Sequence, residues 1–405
     1  MKILFAPAHY FVSDKRGSEP SWPYYALKAL GERGHEVWAI CGVADLNDRQ
    51  IHPNVHLISI FGQARTTNAL VEIWRKVQFY RQVAKLAAKI IADEDIEVVH
   101  HFAPISPLSP NLLAAKGSFK NIPFTMGPAM KPPDEEADLA TALGTPDDWR
   151  LKLSRPVIGL LSQPAANLYR RTLQHVDHLF AVTAEAAVYY RQSLPKTKVS
   201  VVPAGIDISK YASPPAGIKH NNQIVLAVCY LIKRKGIDVL LSAWSRIVRF
   251  HPRARLWVVG NGPEEDNLKK LARELQLESK VRFWGFVDNK KVGRYYAEAG
   301  IFVSPTRAEP FGQTLLEAMA AGLPLVASAT GGIIDIVTKE VGYTFPVDDV
   351  ERLATALDKL LREPKQIKQM SDSALERVKK VYDWSVIVAQ YEQKWQSLIR
   401  QKNNE

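Results

Sequence analysis

Two carboxylates, Glu309 and Glu317, flank Gly312 in the stretch from Ile301 to Ala327, IFVSPTRAEPFGQTLLEAMAAGLPLVA. A glycine ahead of a helix lets a ligand approach the backbone, and the first turn's N–H groups, which have no partner within the helix, then suit a phosphate. Glu309 lies just before the helix, where it can accept hydrogen bonds from hydroxyls of whatever carries the phosphate. Glu317 falls inside the helix and meets a ligand only if its face turns that way. Two carboxylates beside an anion site repel a bare phosphate but suit a phosphorylated polyol. A nucleotide sugar, with hydroxyls on both sugar and ribose, fits. The alternative is an ordinary strand–helix–strand unit with solvated glutamates.

Ile301-Phe302-Val303 and Leu325-Val326-Ala327 are short apolar runs of buried-strand type. Between them Pro310 and Gly312 punctuate a loop, the Leu- and Ala-rich Gln313 to Ala321 favours helix, and Gly322 with Pro324 stops it. The same alternation recurs along the chain. Lys2 to Ala6 predicts a buried strand, then a loop containing Gly17, a helix from Trp22 to Arg33, and a strand from His35 to Ile40. That order opens a Rossmann-like half, and without G-x-G-x-x-G an NAD site has little support. Further strands are expected at Ile96–Val99, Val176–Thr183, Val199–Pro203, Ile224–Tyr230 and Val281–Val287, with helices at Pro263–Leu277, Val350–Arg362 and from Trp384 to Arg400. Tyr211 to Asn222 has linker composition, and Lys131 to Arg155 reads as an irregular insertion or lid.

Glu309-Pro310-Phe311-Gly312 followed by Leu316-Glu317-Ala318-Met319-Ala320 resembles the E-x7-E motif of family-four retaining glycosyltransferases, which have the GT-B fold. The resemblance implies an α/β architecture of two Rossmann-like domains facing a cleft. Residues 1–207 would form the acceptor-side domain, 208–222 a linker, 223–383 the nucleotide-sugar domain, and 384–405 a helix crossing back to the first. It implies that Glu309 and the amides of Phe311, Gly312 and Gln313 hold the donor's sugar and phosphate, while Glu317 holds the ribose. Gly17 would approach the diphosphate, and the backbone around Val287 would contact the base. In the family a Gly-Arg pair and a Lys-Gly pair supply cations to the diphosphate. Lys235-Gly236 matches the second pair, but Cys229-Tyr230 stands where Gly-Arg is usual, leaving Lys233 or Arg234 to take the missing charge. Fixed cations in a dry site lower the barrier to a departing diphosphate.

Adjacent histidines on a strand point to opposite faces, so at most one of His100 and His101 easily meets a ligand. His101, nearer the strand's carboxyl end, is the candidate for contact with donor or acceptor, and joins Glu309 and Lys235 as a catalytic candidate. Many family members carry a histidine near the reacting sugar where this chain has Gly127-Pro128, so the identity of any base stays open. The resemblance implies transfer of a sugar to an acceptor hydroxyl with retention, the leaving diphosphate itself taking the acceptor's proton. No cofactor and no metal are expected. The expected acceptor is a glycan, a lipid-linked group or a small molecule, and family habit points to surface polysaccharide or glycolipid synthesis. Two alternatives share the architecture. A nucleotide-sugar epimerase would need an acid and a base on opposite faces of the sugar, and a non-catalytic nucleotide- or glycan-binding subunit would account for the missing arginine and histidine.

Composition bounds these readings. The 405 residues, 46% hydrophobic and 23% charged, suit two or three globular domains. A net charge of +11 favours anionic partners, nucleotides and lipid head groups among them. Nucleic acid ranks last, because no helix-turn-helix, zinc or RNP signature is present. Basic and aromatic residues alternate from Asn68 to Ala92, which suits either a helix peripheral to an anionic membrane or one covering a sheet. No apolar run approaches the ~20 residues that span a bilayer, and the first residues are too soon broken for a signal segment, so a cytoplasmic protein is expected. Cys41 and Cys229 read as buried free thiols.

Overall fold

The computed structural model describes residues 1–15, 19–48, 50–62, 69–102, 105–106, 109–132, 164–212 and 220–404; within the helix that begins at Ala69, the side chains of 69–74, 76 and 77 lie outside that description. The chain divides into two units, one of Met1–Ala204 with Ile387–Glu405 and one of Gly205–Val386.

In the first unit, strands β1 (Lys2–Ser13), β2 (Glu36–Asp45), β3 (Val55–Ser59), β4 (Val98–His101), β5 (Phe124–Ala129), β6 (His178–Ala181) and β7 (Val199–Val201) form a parallel sheet in the order β3-β2-β1-β4-β5-β6-β7. The first strand runs well past the expected stop at Ala6. Pro7 cannot donate to the ladder, and the pairing with β2 shifts register between Phe5 and His9, letting the strand resume beyond it. Strand β7 is shorter than the expected Val199–Pro203. Phe79, Val83, Ala87 and Ile90 place one stripe of the Ala69–Asp93 helix in the core on Leu4, Val99 and Met126, while Arg81, Lys85 and Lys89 are exposed. This part of the helix therefore covers a sheet with its charges in water, and Phe79 is not available to a membrane.

On the sheet's other face, Tyr391 and Trp395 of the last helix (Trp384–Asn403) meet Phe5, His100 and Phe180, and the Trp395 indole N–H donates to Thr125 Oγ1 at 2.9 Å. Ile387 onward thus belongs to the first unit, while Trp384 belongs to the second.

The second unit contains β8 (Asn221–Val228), β9 (Arg255–Val259), β10 (Val281–Gly285), β11 (Ala299–Ser304), β12 (Leu325–Ser328) and β13 (Gly342–Phe345), all parallel, in the order β10-β9-β8-β11-β12-β13. The helices Ile237–Ile247, Glu265–Glu274 and Val350–Arg362 cover one face through Leu240, Trp244, Leu268, Leu353 and Leu357. A helix over Pro364–Arg377, not anticipated from the sequence, follows. Within the expected linker, Ser209–Ala212 is helical and β8 already begins at Asn221, while 213–219 lie outside the described residues. Both cysteines are free, and burial pushes the Cys41 thiol up to about 12. No described helix is long and apolar enough to cross a membrane.

Candidate functional site

In the second sheet the chain runs outward from β8 through β9 to β10, then returns to β11 on β8's other side. The strand order reverses between β8 and β11, and in open parallel sheets such a switch point, at the strands' carboxyl ends, is where the loops part and ligands bind. Lys235 follows β8 and Glu309 follows β11, so the two loops that part here carry the two candidates.

They meet. Lys235 Nζ donates to Glu309 Oε2 at 2.6 Å, with side chains 18% and 16% exposed. Nothing in the sequence announced this pairing, because the partners are 74 residues apart. Lys233, Arg234 and Lys235 form a single helical turn ended by Gly236, which opens the Ile237–Ile247 helix. Gly236 has φ +66°, and a Cβ there would sit 2.0 Å from the Pro305 carbonyl oxygen, so the loops can approach this closely only with glycine.

The approach is fixed by hydrogen bonds. The Arg234 carbonyl accepts from Arg307 N at 2.7 Å and Thr306 Oγ1 at 3.1 Å, and the Arg234 guanidinium donates to the Ala308 carbonyl at 2.6 Å. Arg307 grips both oxygens of Asp238 at 3.1 and 2.8 Å, reaches Asp348 at 2.8 Å, and donates to the Lys233 carbonyl. Arg234, expected to replace a missing phosphate cation, is thus engaged in holding the loops, and Lys233 is exposed. Thr306, Arg307 and Asp238 escaped the sequence reading. Arg307 stands beside the motif, but Asp238 is 69 residues away.

Gly312, with φ +113°, opens the Gln313–Ala320 helix, and Phe311 is buried beneath the loop. The glycine turn after β12 packs on this loop: Gly332 N donates to the Glu309 carbonyl at 3.0 Å, and a Cβ at Gly332 would lie 2.6 Å from the Phe311 carbonyl oxygen. Glu317 points inward, only 6% exposed. Its Oε2 accepts from the Tyr296 hydroxyl at 2.7 Å, and Tyr211 also hydrogen-bonds to it. Burial pushes its carboxyl above the usual range, against the pull of both hydroxyls. Tyr296 packs against Tyr211 and Phe302, with ring centroids 5.7 Å away in each case.

At the carboxyl end of β10, Gly285 bridges to Gly260, whose N donates to the Gly285 carbonyl at 2.9 Å. Val287 follows, beside Phe286, which is 72% exposed; Tyr230, after β8, is 51% exposed. Glu309, Lys235, Phe311, Gly312 and Gln313 lie on loops or a helix start at the carboxyl ends of the adjacent strands β8 and β11, and Val287 follows the carboxyl end of β10, which β9 separates from β8.

The first unit holds the remaining candidates. Gly17 lies outside the described residues, as do 133–155 of the expected lid. His101 is fully buried. His100 belongs to the aromatic layer under the last helix, bonding Thr125 Oγ1 at 2.8 Å and the Gly127 carbonyl at 2.9 Å, and burial lowers it to about 3.

Comparison with known proteins gives the chain its class. Residues 24–210 match the model of "Glycosyltransferase Family 4" and residues 211–377 that of "Glycosyl transferases group 1". The chain belongs to these glycosyltransferases, with the GT-B architecture of two Rossmann-like units. Among curated relatives, the N-acetyl-alpha-D-glucosaminyl L-malate synthase of Bacillus anthracis is 25% identical over 388 residues, 93% of each chain. An uncharacterized glycosyltransferase of Haemophilus influenzae is 35% identical over 158 residues, 38% of this chain and 44% of that one. The chain spans about half the length of several such relatives. The Anabaena protein HepE, solved in complex with UDP and glucose, shares the fold at a TM-score of 0.63 and 18% identity, covering 98% of this chain and 100% of that one.

Proposed function

We propose that this protein moves a sugar from a nucleotide-sugar donor to an acceptor hydroxyl with retention at the anomeric carbon. The observation that carries this reading is the Lys235–Glu309 pair at the switch point, beside the start of the Gln313–Ala320 helix. A cation and helix-start amides suit a diphosphate, and a carboxylate within reach of the same place suits sugar hydroxyls. Lys235 would stabilise charge developing on the departing diphosphate without a metal, while Glu309 would orient the sugar. In a retaining transfer that proceeds on one face, the leaving phosphate oxygen takes the acceptor's proton, so no separate base is required. HepE's complex with UDP and glucose and the Bacillus relative's name, N-acetyl-alpha-D-glucosaminyl L-malate synthase, support a nucleotide donor; the acceptor is a small molecule, a lipid-linked group or a glycan.

Thermal-shift titration with UDP, GDP and ADP tests the donor half, followed by acceptor-dependent release of the same diphosphate from its sugar nucleotides. One nucleotide should stabilise the protein, and Lys235→Ala should weaken its binding by about tenfold or more, the usual scale for losing a charge-assisted contact. Stabilisation by none of the three, or unchanged binding and turnover in Lys235→Ala, refutes the assignment. An isomerised sugar formed from donor alone would identify an epimerase instead.

A further inference from the structure

The ion pair between Lys235 and Glu309 means that, before any ligand arrives, the cation expected to meet the diphosphate is neutralised by the carboxylate expected to meet the sugar. The two side chains are mostly buried, and the loops carrying them are bound together through Arg234, Thr306 and Arg307, so the pair parts by side-chain movement and not by separation of the loops. A ligand entering here must compensate both groups. A donor does so, because its diphosphate replaces the carboxylate at Lys235 while its sugar hydroxyls donate to Glu309.

The product cannot. On transfer, the bond from the anomeric carbon to the β-phosphate oxygen breaks with its electron pair left on oxygen, the acceptor oxygen bonds to that carbon, and the acceptor's proton passes to that phosphate oxygen and from it to water. What remains is a terminal phosphate with more negative charge than the ester had, beside a carboxylate stripped of its hydroxyl partners. We propose that Glu309 discriminates donor from product: its charge repels the terminal phosphate and recaptures Lys235, which drives the spent nucleoside diphosphate out. This inference rests on the proposed donor reading and adds a role in product release to Glu309.

The test uses the full-length protein and whichever of UDP, GDP and ADP stabilises it. Glu309→Gln removes the charge and keeps the shape, while leaving in place the loop hydrogen bonds that run through backbone and neighbouring residues. The variant should bind the free diphosphate about tenfold more tightly than wild type, the scale set by removing one like charge at close range in a partly screened site. Acceptor-dependent turnover should fall, and inhibition by added diphosphate should deepen correspondingly. Glu309→Asp, which keeps the charge, should bind diphosphate as wild type does. A variant that is merely damaged would lose diphosphate affinity and melting temperature together. Unchanged or weaker diphosphate binding in Glu309→Gln, with wild type binding it normally, overturns the inference and leaves the donor site standing. Failure of wild type to bind any of the three overturns both.

Discussion

Gly236→Ala tests the close approach on which the site depends. Gly236 and Gly285 share nearly the same backbone, φ +66° and +67°, yet a Cβ at Gly236 would lie 2.0 Å from the Pro305 oxygen and one at Gly285 would meet nothing within 4 Å. Both alanine variants bear the left-handed backbone cost, about 1–2 kcal/mol. Only Gly236→Ala must also part the two loops. Cβ contacts under 3.0 Å essentially do not occur, so the separation is at least 3.0 − 2.0 = 1.0 Å. That displacement strains the hydrogen bonds from Arg307 N and Thr306 Oγ1 to the Arg234 carbonyl and from Arg234 to the Ala308 carbonyl. At about 0.5–1.5 kcal/mol each, the loss of these three makes Gly236→Ala worse than Gly285→Ala by roughly 1.5–4.5 kcal/mol. Urea unfolding of both variants at fixed pH reads this as a difference in midpoint with an unchanged slope. Gly236→Ala should also lose nucleotide binding, because Lys235 is carried out of register with Glu309. Losses equal within about 0.5 kcal/mol would refute the reasoning, since that is the level at which independent effects are indistinguishable.

Two further outcomes follow from titratable groups. Burial raises the folded pKa of Glu317 above its ordinary 4.5, so its ionisation is resisted in the native state and stability falls as pH rises from that value through the folded pKa. Glu317→Gln, whose amide oxygen can still accept from Tyr296, should therefore gain stability over wild type above pH 4.5 while binding nucleotide less well; a constant difference across pH, read by thermal melting, contradicts it. In the first unit, burial lowers His100 and His178 to about 3, so the unfolded chain takes up their protons from pH 6.5 downward and the native state does not until about 3. Stability should fall on acidification through that window, by up to about 1.4 kcal/mol per pH unit for each group. The slope should shrink in His178→Gln, and an unaltered slope in denaturant titrations counts against it.

The sequence made the strand–loop–helix–strand unit around Glu309 legible because apolar runs, Gly312 and Gly322 mark its parts locally, and the helix Val350–Arg362 was legible for the same reason. It hid what depends on distant partners. Lys235 and Glu309 were read as serving different parts of a ligand, and only the crossing between β8 and β11 brings them into contact. The inward turn of Glu317 depends on Tyr296 from the short Gly293–Glu298 helix, whose hydroxyl no spacing rule connects to it. Pro7 suggested the end of the first strand, since a register shift that accommodates a proline is invisible until the neighbouring strand is in place. For the histidine pair, alternation gives the expectation of opposite faces but not the surroundings: His100 lies in an aromatic core and His101 is buried, neither of which a two-residue spacing reveals.

Tyr391 and Trp395 supply rings to an interior whose other members, Phe5, His100 and Phe180, were synthesised hundreds of residues earlier. On the ribosome, therefore, the amino-terminal sheet must wait with that layer uncovered while all of Gly205–Val386 emerges, a stretch able to assemble first. The half of the molecule made earliest is the half finished last, and it is the one most in need of protection from aggregation during translation.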